Sequence, residues 1–371
     1  AMAHALTITG NPSSVHAHGR AARAVVEKAR DLVARLVHAK PDQVIFTSGA
    51  TEANALALWG AVEGAIDRNE TDKSARITRL FVSAIEHSSV LKTAEALAER
   101  VAGVRLERLP VAANGLLDLE ALRVALREGK GRALVAVMAA NNETGVIQPV
   151  AEISRLCREA GALLLVDAVT AAGKIDLDAG LGDYMTLSAH KLGGPQGAGA
   201  LVVGEDAPLA PQMTGGGQQK GLRAGTENLS GIAGFGAAVD AILADAGERA
   251  RIASVRDHFE RTLKAKLPDA IVFGEGAPRL DNTSNVALPG LTSQNIVIAL
   301  DLDGVMVSSG SSCSAGKIAP SHVLSAMGVA DDLAGASIRA SFGWDSTVGD
   351  ADAVVASLEK LAARVRARAT A

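Results

Sequence analysis

Four short runs, "QVIFTSG", "RLFVSAIE", "ALVAVMAAN" and "ALLLVDAV", constrain this chain more than anything else in it. Each is strand-length, rich in β-branched or large aliphatic residues and almost continuously apolar, as a strand buried on both faces must be. Amphipathic segments such as "EANALALWGAVEGAI" and "VAEISRLCREAG" stand between them. That alternation predicts an α/β fold: a mostly parallel sheet covered by helices. Upstream, Val25, Ala29, Leu32, Val33 and Leu36 recur at helical spacing, predicting a helix from Arg20 to Val37 with Pro41 beyond its end. Past Thr226 the pattern changes. One long helical stretch to about Leu267 leads into "AIVFG", "NTSNVALPG", "SQNIVIALDLDG" and "ASIRASFG", then a closing helix rich in Lys, Arg and Ala. The expected division is a large domain over 15–250 and a smaller α+β domain over 251–371, joined by residues 1–14.

Composition narrows the class. A net charge of -4 leaves no basic footprint for nucleic acid, and no apolar run approaches the ~18 residues of a membrane span. Two cysteines in 371 residues fit a reduced, cytoplasmic protein better than a disulfide scaffold. The opening "AMAHAL" carries no signal peptide and reads as the end of a helix already under way, so the expected N-terminus lies upstream. His4, His18 and His38 have no ligand-like spacing, and no metal site is expected.

Four motifs carry chemistry. In "TSGATEAN" a strand runs through Ser48, Gly49, Ala50 and Thr51 straight into a helix. Free N–H groups and the helix dipole make such a turn a phosphate cradle, although a plain helix cap with Glu52 in its first turn reads the same way. "LLLVDAVTAAGK" puts Asp167 at the C-terminal end of the most apolar strand, where α/β sheets bind ligands. A buried carboxylate there needs a partner: the cationic ring nitrogen of a cofactor, or merely the following turn. In "TLSAHKLGGPQGAGAL", Lys191 follows Ser188 and His190 and precedes a glycine-rich break. Partial desolvation there favours Schiff-base chemistry. Lastly, "VSSGSSCSAGK" sets Cys313 among small residues that offer it no core to pack into. Cys157, by contrast, lies on the apolar stripe of its helix and reads as a buried structural thiol.

Taken in order, "GNPSSVHAHG", "FTSGATEANALAL", "EHSSVL", "NNETGVIQP", "SAHKLGGPQGAGAL", "GGGQQKGLRAGTEN", "SSGSSCSAG", "PSHVLSAMG" and "SIRASFG" resemble the cysteine desulfurases of the NifS/IscS type, fold-type I pyridoxal-phosphate enzymes of the class V aminotransferase family. The resemblance runs over essentially the whole chain. It implies a seven-stranded-type sheet, pyridoxal 5'-phosphate as cofactor, L-cysteine as substrate, a sulfur-acceptor protein and a homodimer. It further implies that Lys191 bears the cofactor covalently, that Asp167 pairs with the pyridinium nitrogen, and that His87 stacks on the ring and helps move protons. Ala50, Thr51, Ser188 and His190 would bind the phosphate, joined by Thr226 from the second subunit. Asn142 would lie beside the ring hydroxyl, Arg339 would clamp the substrate carboxylate, and Cys313 would take the sulfur as a persulfide in a loop small enough to swing. His16 falls in the "NPSSVH" motif, either at the site's rim or as a helix-entry residue. Lys220 reads as surface.

The chain departs from that pattern at Thr170, where the family usually places a Gln that reaches the ring hydroxyl, and it starts after the family's first Asp-x-x-Ala-Thr-like strand. Three activities compete: the desulfurase, a selenocysteine lyase or related class V aminotransferase, and a sulfur-relay scaffold without catalysis. An aminotransferase has no need of the Cys313 loop, so alanine and sulfide made from cysteine separate the first two.

Overall fold

The computed structural model describes residues 1–67, 76–245, 247–310 and 321–369. The Cys313 loop, expected at 307–317, therefore lies largely outside the described residues. Two compact units emerge: Ala1–Leu109 with Asp118–Ala139 and Pro149–Asp245, and Pro110–Leu117 with Ala140–Gln148 and Ala246–Ala371.

The large unit is built on seven strands: β1 (Val44–Thr47), β2 (Ile77–Ser83), β3 (Arg105–Leu109), β4 (Arg132–Met138), β5 (Leu163–Asp167), β6 (Tyr184–Ser188) and β7 (Gly199–Val203). Their order is β1-β7-β6-β5-β4-β2-β3. Strands β3, β2, β4, β5 and β6 run parallel, while β7 is antiparallel to both β1 and β6. Every residue of β1, β5 and β6 is buried, as their apolar runs require. The helices of this unit are α1 (Met2–Leu6), α2 (Ala17–Leu36), α3 (Ala50–Asp67), α4 (Ser88–Arg100), α5 (Leu119–Arg127), α6 (Val150–Glu159) and α7 (Leu229–Ala244). Leu58, Ala61 and Val62 of α3 and Val90 and Leu97 of α4 close a core with Leu80, Leu134, Leu165, Leu201 and Tyr184 of the sheet. No single described helix is long and apolar enough to cross a membrane.

Local chemistry explains where these elements differ from the sequence pattern. The strand β3, "RLERL", does not read as apolar because it is the sheet edge, with Arg105, Glu107 and Arg108 exposed. His16 is the N-cap of α2, its Nδ1 accepting the Gly19 N–H at 3.2 Å, which is the helix-entry reading. Cys157 on α6 is 1% exposed, and burial pushes its thiol up to about 12.

The small unit holds α8 (Glu248–Lys266), β8 (Ile271–Val272), β9 (Thr283–Ala287), α9 (Ser293–Leu302), β10 (Ser308–Ser309), α10 (His322–Ala326), α11 (Asp331–Gly335), β11 (Ser337–Ser341) and α12 (Val348–Ala369). Its antiparallel sheet runs β10-β11-β9-β8. Phe259 of α8, Ile296 of α9, Val286, Ile338 and Leu358 of α12 form its core.

Three expectations about the division are corrected. The single helical stretch from Thr226 to Leu267 is two helices, α7 and α8, because Asp245 takes a non-helical conformation (φ -115°, ψ 87°) and Gly247 caps α8. Residues 1–14 belong to the large unit: Arg23 donates to the Pro12 carbonyl at 2.9 Å, and a Cβ on Gly234 of α7 would meet Met2 at 2.8 Å. Conversely, 140–148 belongs to the small unit, pinned by Ile147 N–H to Pro278 and Leu280 N–H to Gly145, each 2.8 Å. The 110–117 hairpin follows it, since the Gln148 amide accepts from Leu117 N–H and donates to the Gly115 carbonyl.

Gly199 opens β7 and pairs with Thr47 on one side and Ser188 on the other. A Cβ there would stand 2.6 Å from the Cα of Gly49, a backbone atom that cannot turn aside. Gly199→Ala is expected to cost about 1–3 kcal/mol in urea unfolding, the range of core overpacking. An unchanged midpoint contradicts the close approach.

Candidate active site

The C-terminal ends of β1, β5 and β6 lie at one edge of the large unit's sheet, the edge where open α/β sheets hold ligands. Thr47 and Ser188 flank the same Gly199, so the turn from β1 into α3 and the turn after β6 are neighbours. The first-turn N–H groups of α3, from Ala50 and Thr51 onward, have no carbonyl of their own helix to bond and sit at its positive end. Opposite them, the buried Ser188 Oγ lies 2.8 Å from His190 Nδ1. Partial burial and the charge of Lys191 lower the pKa of His190. Glu52 in the first turn accepts from Ser48 N–H (2.9 Å) and from both Arg223 Nε (2.7 Å) and Arg223 Nη2 (3.1 Å). Burial pushes its carboxyl up, but these bonds outweigh burial and hold it below the usual range, so the carboxylate is neutralised by Arg223. Both readings of "TSGATEAN" therefore apply: the turn is capped, and the helix end beside it suits an anion.

Asp167 ends β5 with 5% exposure. Its Oδ1 accepts the Val169 N–H at 3.0 Å and its Oδ2 the Asn54 amide at 2.9 Å. Asn54, fully buried on α3, also donates to Ser89 Oγ at 3.0 Å and accepts from the Thr186 hydroxyl at 2.9 Å, so all its polar capacity toward this edge is used. Ser89 Oγ continues to His87 Nδ1 at 2.8 Å, and His87 caps α4 by accepting the Ser89 N–H at 3.1 Å. An accepting Nδ1 puts the proton of the neutral ring on Nε2. Beside Asp167, the buried Glu86 accepts the Met138 N–H at 2.6 Å. Burial, then the Asp167 charge, push the Glu86 carboxyl well above the usual range. Burial also raises Asp167, offset by Asn54, the Val169 N–H and the charges of His87 and Lys191. Burial thus pushes both carboxyls up, Glu86 the further, and Asp167 is the one whose charged form is favoured by donors and cations beside it.

Lys191 ends a single 3-10 turn, Ala189–Lys191, after β6 and is exposed rather than partly desolvated, because one turn at the sheet edge cannot cover it. The desolvated lysine of this edge is Lys174. Thr170 is half-buried in the turn after Asp167. Thr226 is exposed on the glycine-rich loop. In the small unit, half-buried Arg339 of β11 donates to the Asn142 carbonyl at 2.8 Å and to Ser308 Oγ at 3.3 Å, bringing two more of the expected residues together. Buried Glu143, next to Asn142, accepts from Ser321, the first described residue after the Cys313 loop. Lys220 is exposed and donates to the Asp42 carbonyl.

The donor set fits pyridoxal phosphate: a buried carboxyl for a ring cation, an exposed amine for an aldehyde, and a helix end with Ser188 and His190 for a phosphate. Sequence reasoning missed Asn54, Ser89, Thr186 and Glu86. Asn54 and Glu86 each lie inside a quoted motif, "TSGATEAN" and "EHSSVL", and only their burial separates them from ordinary polar positions.

Asn54→Ala strips Asp167 and Ser89 of a donor and Thr186 of an acceptor. It is expected to cost about 1–3 kcal/mol in chemical denaturation and to weaken cofactor binding measured by equilibrium dialysis. Unchanged stability contradicts the network.

Comparison with known proteins agrees with this geometry. The model of the aminotransferase class-V family matches residues 1–354. A cysteine desulfurase of Cereibacter sphaeroides is 40% identical over 361 residues, covering 96% of this chain and 90% of the relative. The cysteine desulfurase IscS of Dictyoglomus turgidum is 38% identical, covering 96% of this chain and 88% of the relative. Among solved structures, a NifS-like protein from Rickettsia africae superposes with a TM-score of 0.85 at 32% identity, covering 97% of this chain and 94% of that one. Matched along nearly its whole length by fold and by sequence, the chain belongs to the class-V aminotransferase family, among relatives that are cysteine desulfurases.

Proposed function

We propose that this protein is a pyridoxal-phosphate-dependent cysteine desulfurase, converting L-cysteine to L-alanine and carrying the sulfur as a persulfide on Cys313 to an acceptor protein. The observation that carries the reading is the buried, hydrogen-bonded carboxyl of Asp167 at the same sheet edge as the Lys191 turn and the Ser188–His190 pair. Asp167 would pair with the ring nitrogen of the cofactor, and Lys191 would bear the cofactor through its amine. The α3 first turn at Ala50 and Thr51, with Ser188 and His190, would hold the phosphate, and Thr170 would be the candidate for the ring hydroxyl. Pyridoxal phosphate, when bound, supplies an electron sink for bonds at the substrate's α-carbon.

The remaining steps belong to the chain. Arg339 offers a planar fork to the substrate carboxylate, fixing its orientation by paired charge-assisted hydrogen bonds, with Asn142 beside it. His87, protonated on Nε2 and held by Ser89, moves protons at the ring face. The Cys313 thiolate attacks the substrate sulfur: a new S–S bond replaces the substrate's Cβ–S bond, and a proton delivered to Cβ completes alanine. Lys191 and His87 would be the groups to deliver it.

We infer a homodimer in which Thr226 serves the partner's phosphate site, a reading supported by the exposure of Thr226 and of Met213 at the start of the same loop. The acceptor we infer is an iron–sulfur scaffold or sulfur carrier, and the setting is the reduced cytoplasm, in keeping with a buried Cys157 thiol.

Borohydride reduction and peptide mapping are expected to label Lys191, and a label on another lysine refutes the assignment. Cys313→Ser is expected to bind cofactor and cysteine yet lose more than about 99% of alanine production, the scale of losing a nucleophile. The parent alone gains one sulfur on the Cys313 peptide by mass spectrometry. Sulfur on Cys157 refutes the nucleophile. At about pH 8 alkylation is expected to spare native Cys157, whose raised pKa leaves almost no thiolate.

Removing the cofactor exposes a pH dependence. Asp167 and Glu86 are raised in the folded chain, so it retains protons that the unfolded chain releases, and stability falls as pH rises above about 4. A ring cation on Asp167 removes its share of that loss. The melting difference between loaded and cofactor-free protein is therefore expected to widen from about pH 5 to about pH 8. A narrowing difference contradicts the pairing.

A further inference from the structure

Lys174 has no part in the reaction described above, yet it lies at the same sheet edge. It closes the turn that starts at Asp167, its own N–H bonding back to the Ala171 carbonyl at 2.9 Å. Its Nζ donates to the Thr170 carbonyl at 2.8 Å and to the Lys191 carbonyl at 3.2 Å. One ammonium thus spans the turn after β5, which follows Asp167, and the turn after β6, which carries Lys191.

The second contact braces the Lys191 turn. Ala189–Lys191 is a single 3-10 turn, and the N–H groups of Leu192 and Gly194 both return to the Ala189 carbonyl. The Lys191 carbonyl lies at the negative end of that turn, where a cationic donor such as Lys174 is favoured. Although Lys174 as a residue is half-buried, its head is enclosed between two carbonyls.

We propose that Lys174 is a positioning residue for Lys191: its ammonium, held between the Thr170 and Lys191 carbonyls, fixes the turn that presents the Lys191 amine and sets the charge against which that amine takes its proton. The proposal rests on the reading of Lys191 as the cofactor-bearing lysine. Burial, then the charge of Lys191, lower Lys174 to about 8, so it is a cation at neutral pH and gives it up at mildly alkaline pH. Among the described residues, the charged and titratable groups that act on Lys191 include Lys174 from the β5 turn, His190 on its own turn and Asp167 at the end of β5. Glu86 and His87, from the β2–α4 junction, act on Asp167. Asp167 favours a proton on Lys191 and Lys174 opposes it, so the two set its proton affinity from opposite sides.

The test is a pH titration of the visible absorbance of the loaded protein, which follows the proton on the nitrogen joining Lys191 to the cofactor. Lys174→Gln removes the charge and keeps one donor, so the midpoint is expected to rise by about one pH unit, the effect of one close like charge. Lys174→Arg keeps the charge and can fork to both carbonyls, and its midpoint is expected within about 0.3 unit of the parent. A Lys174→Gln midpoint equal to the parent's, even with a lower melting temperature, overturns the proposal by reducing Lys174 to a structural part. If Lys174→Gln does not fold, Lys174→Arg decides: a displacement of a full unit overturns the proposal, and a parent-like midpoint supports it. Borohydride mapping separates the two readings. A label off Lys191 in the parent overturns the Lys191 assignment and this proposal with it, whereas a Lys191 label with unmoved midpoints overturns this proposal alone.

Discussion

A carboxylate buried at the end of a central strand is the constraint on which the large unit depends. Taking Asp167 out of water costs several kcal/mol unless it is hydrogen-bonded and paired, and the surrounding elements are placed to meet that demand. Asn54 reaches it from α3, the Val169 N–H from its own turn, and Thr186 and Ser89 hold Asn54 in the one orientation that donates. Through Ser89 the same network fixes the tautomer of His87. The position of an acid, the orientation of an imidazole and the packing of α3 against the sheet are consequently one problem with one solution.

The small unit solves a separate problem. It holds Arg339 among backbone and hydroxyl oxygens, with a buried carboxyl nearby. The Asn142 carbonyl and the Ser308 hydroxyl orient Arg339 with neutral oxygens. Glu143, close enough for the Arg339 charge to act on it, is engaged by Ser321, and burial raises its carboxyl despite that bond and the charges of His322 and Arg339. A raised carboxyl competes weakly for the guanidinium.

Much of this was legible in the sequence because burial writes itself into apolar runs. Strands β1, β2, β4 and β5 stood out for that reason, and so did Asp167, a charge breaking the most apolar run of all. The edge strand β3 stayed hidden because charges that prevent edge-to-edge pairing also erase the strand pattern. The 140–148 segment reads as a continuation of β4, and its membership of the small unit comes from backbone bonds to residues far along the chain, which no local pattern records. Asn54 and Glu86 were invisible as site residues for the same reason: each is an ordinary polar residue until the fold buries it. Lys191, expected to be partly desolvated, is exposed, since composition around a lysine says less about its exposure than the length of the turn it sits on.

Strand β7 has a consequence for how the protein is made. It runs against its neighbours, so the C-terminal ends of β1 and β6 meet on either side of its first residue. The two halves of the anion site come from the opening and the middle of the chain, and they are joined only when β7 pairs with both. On a ribosome, β1 emerges early and must wait for β7, with most of the large unit's sequence synthesised between them. The β1–α3 turn and the β6 turn therefore become neighbours only at a late stage of synthesis, once β7 is available to pair with both strands.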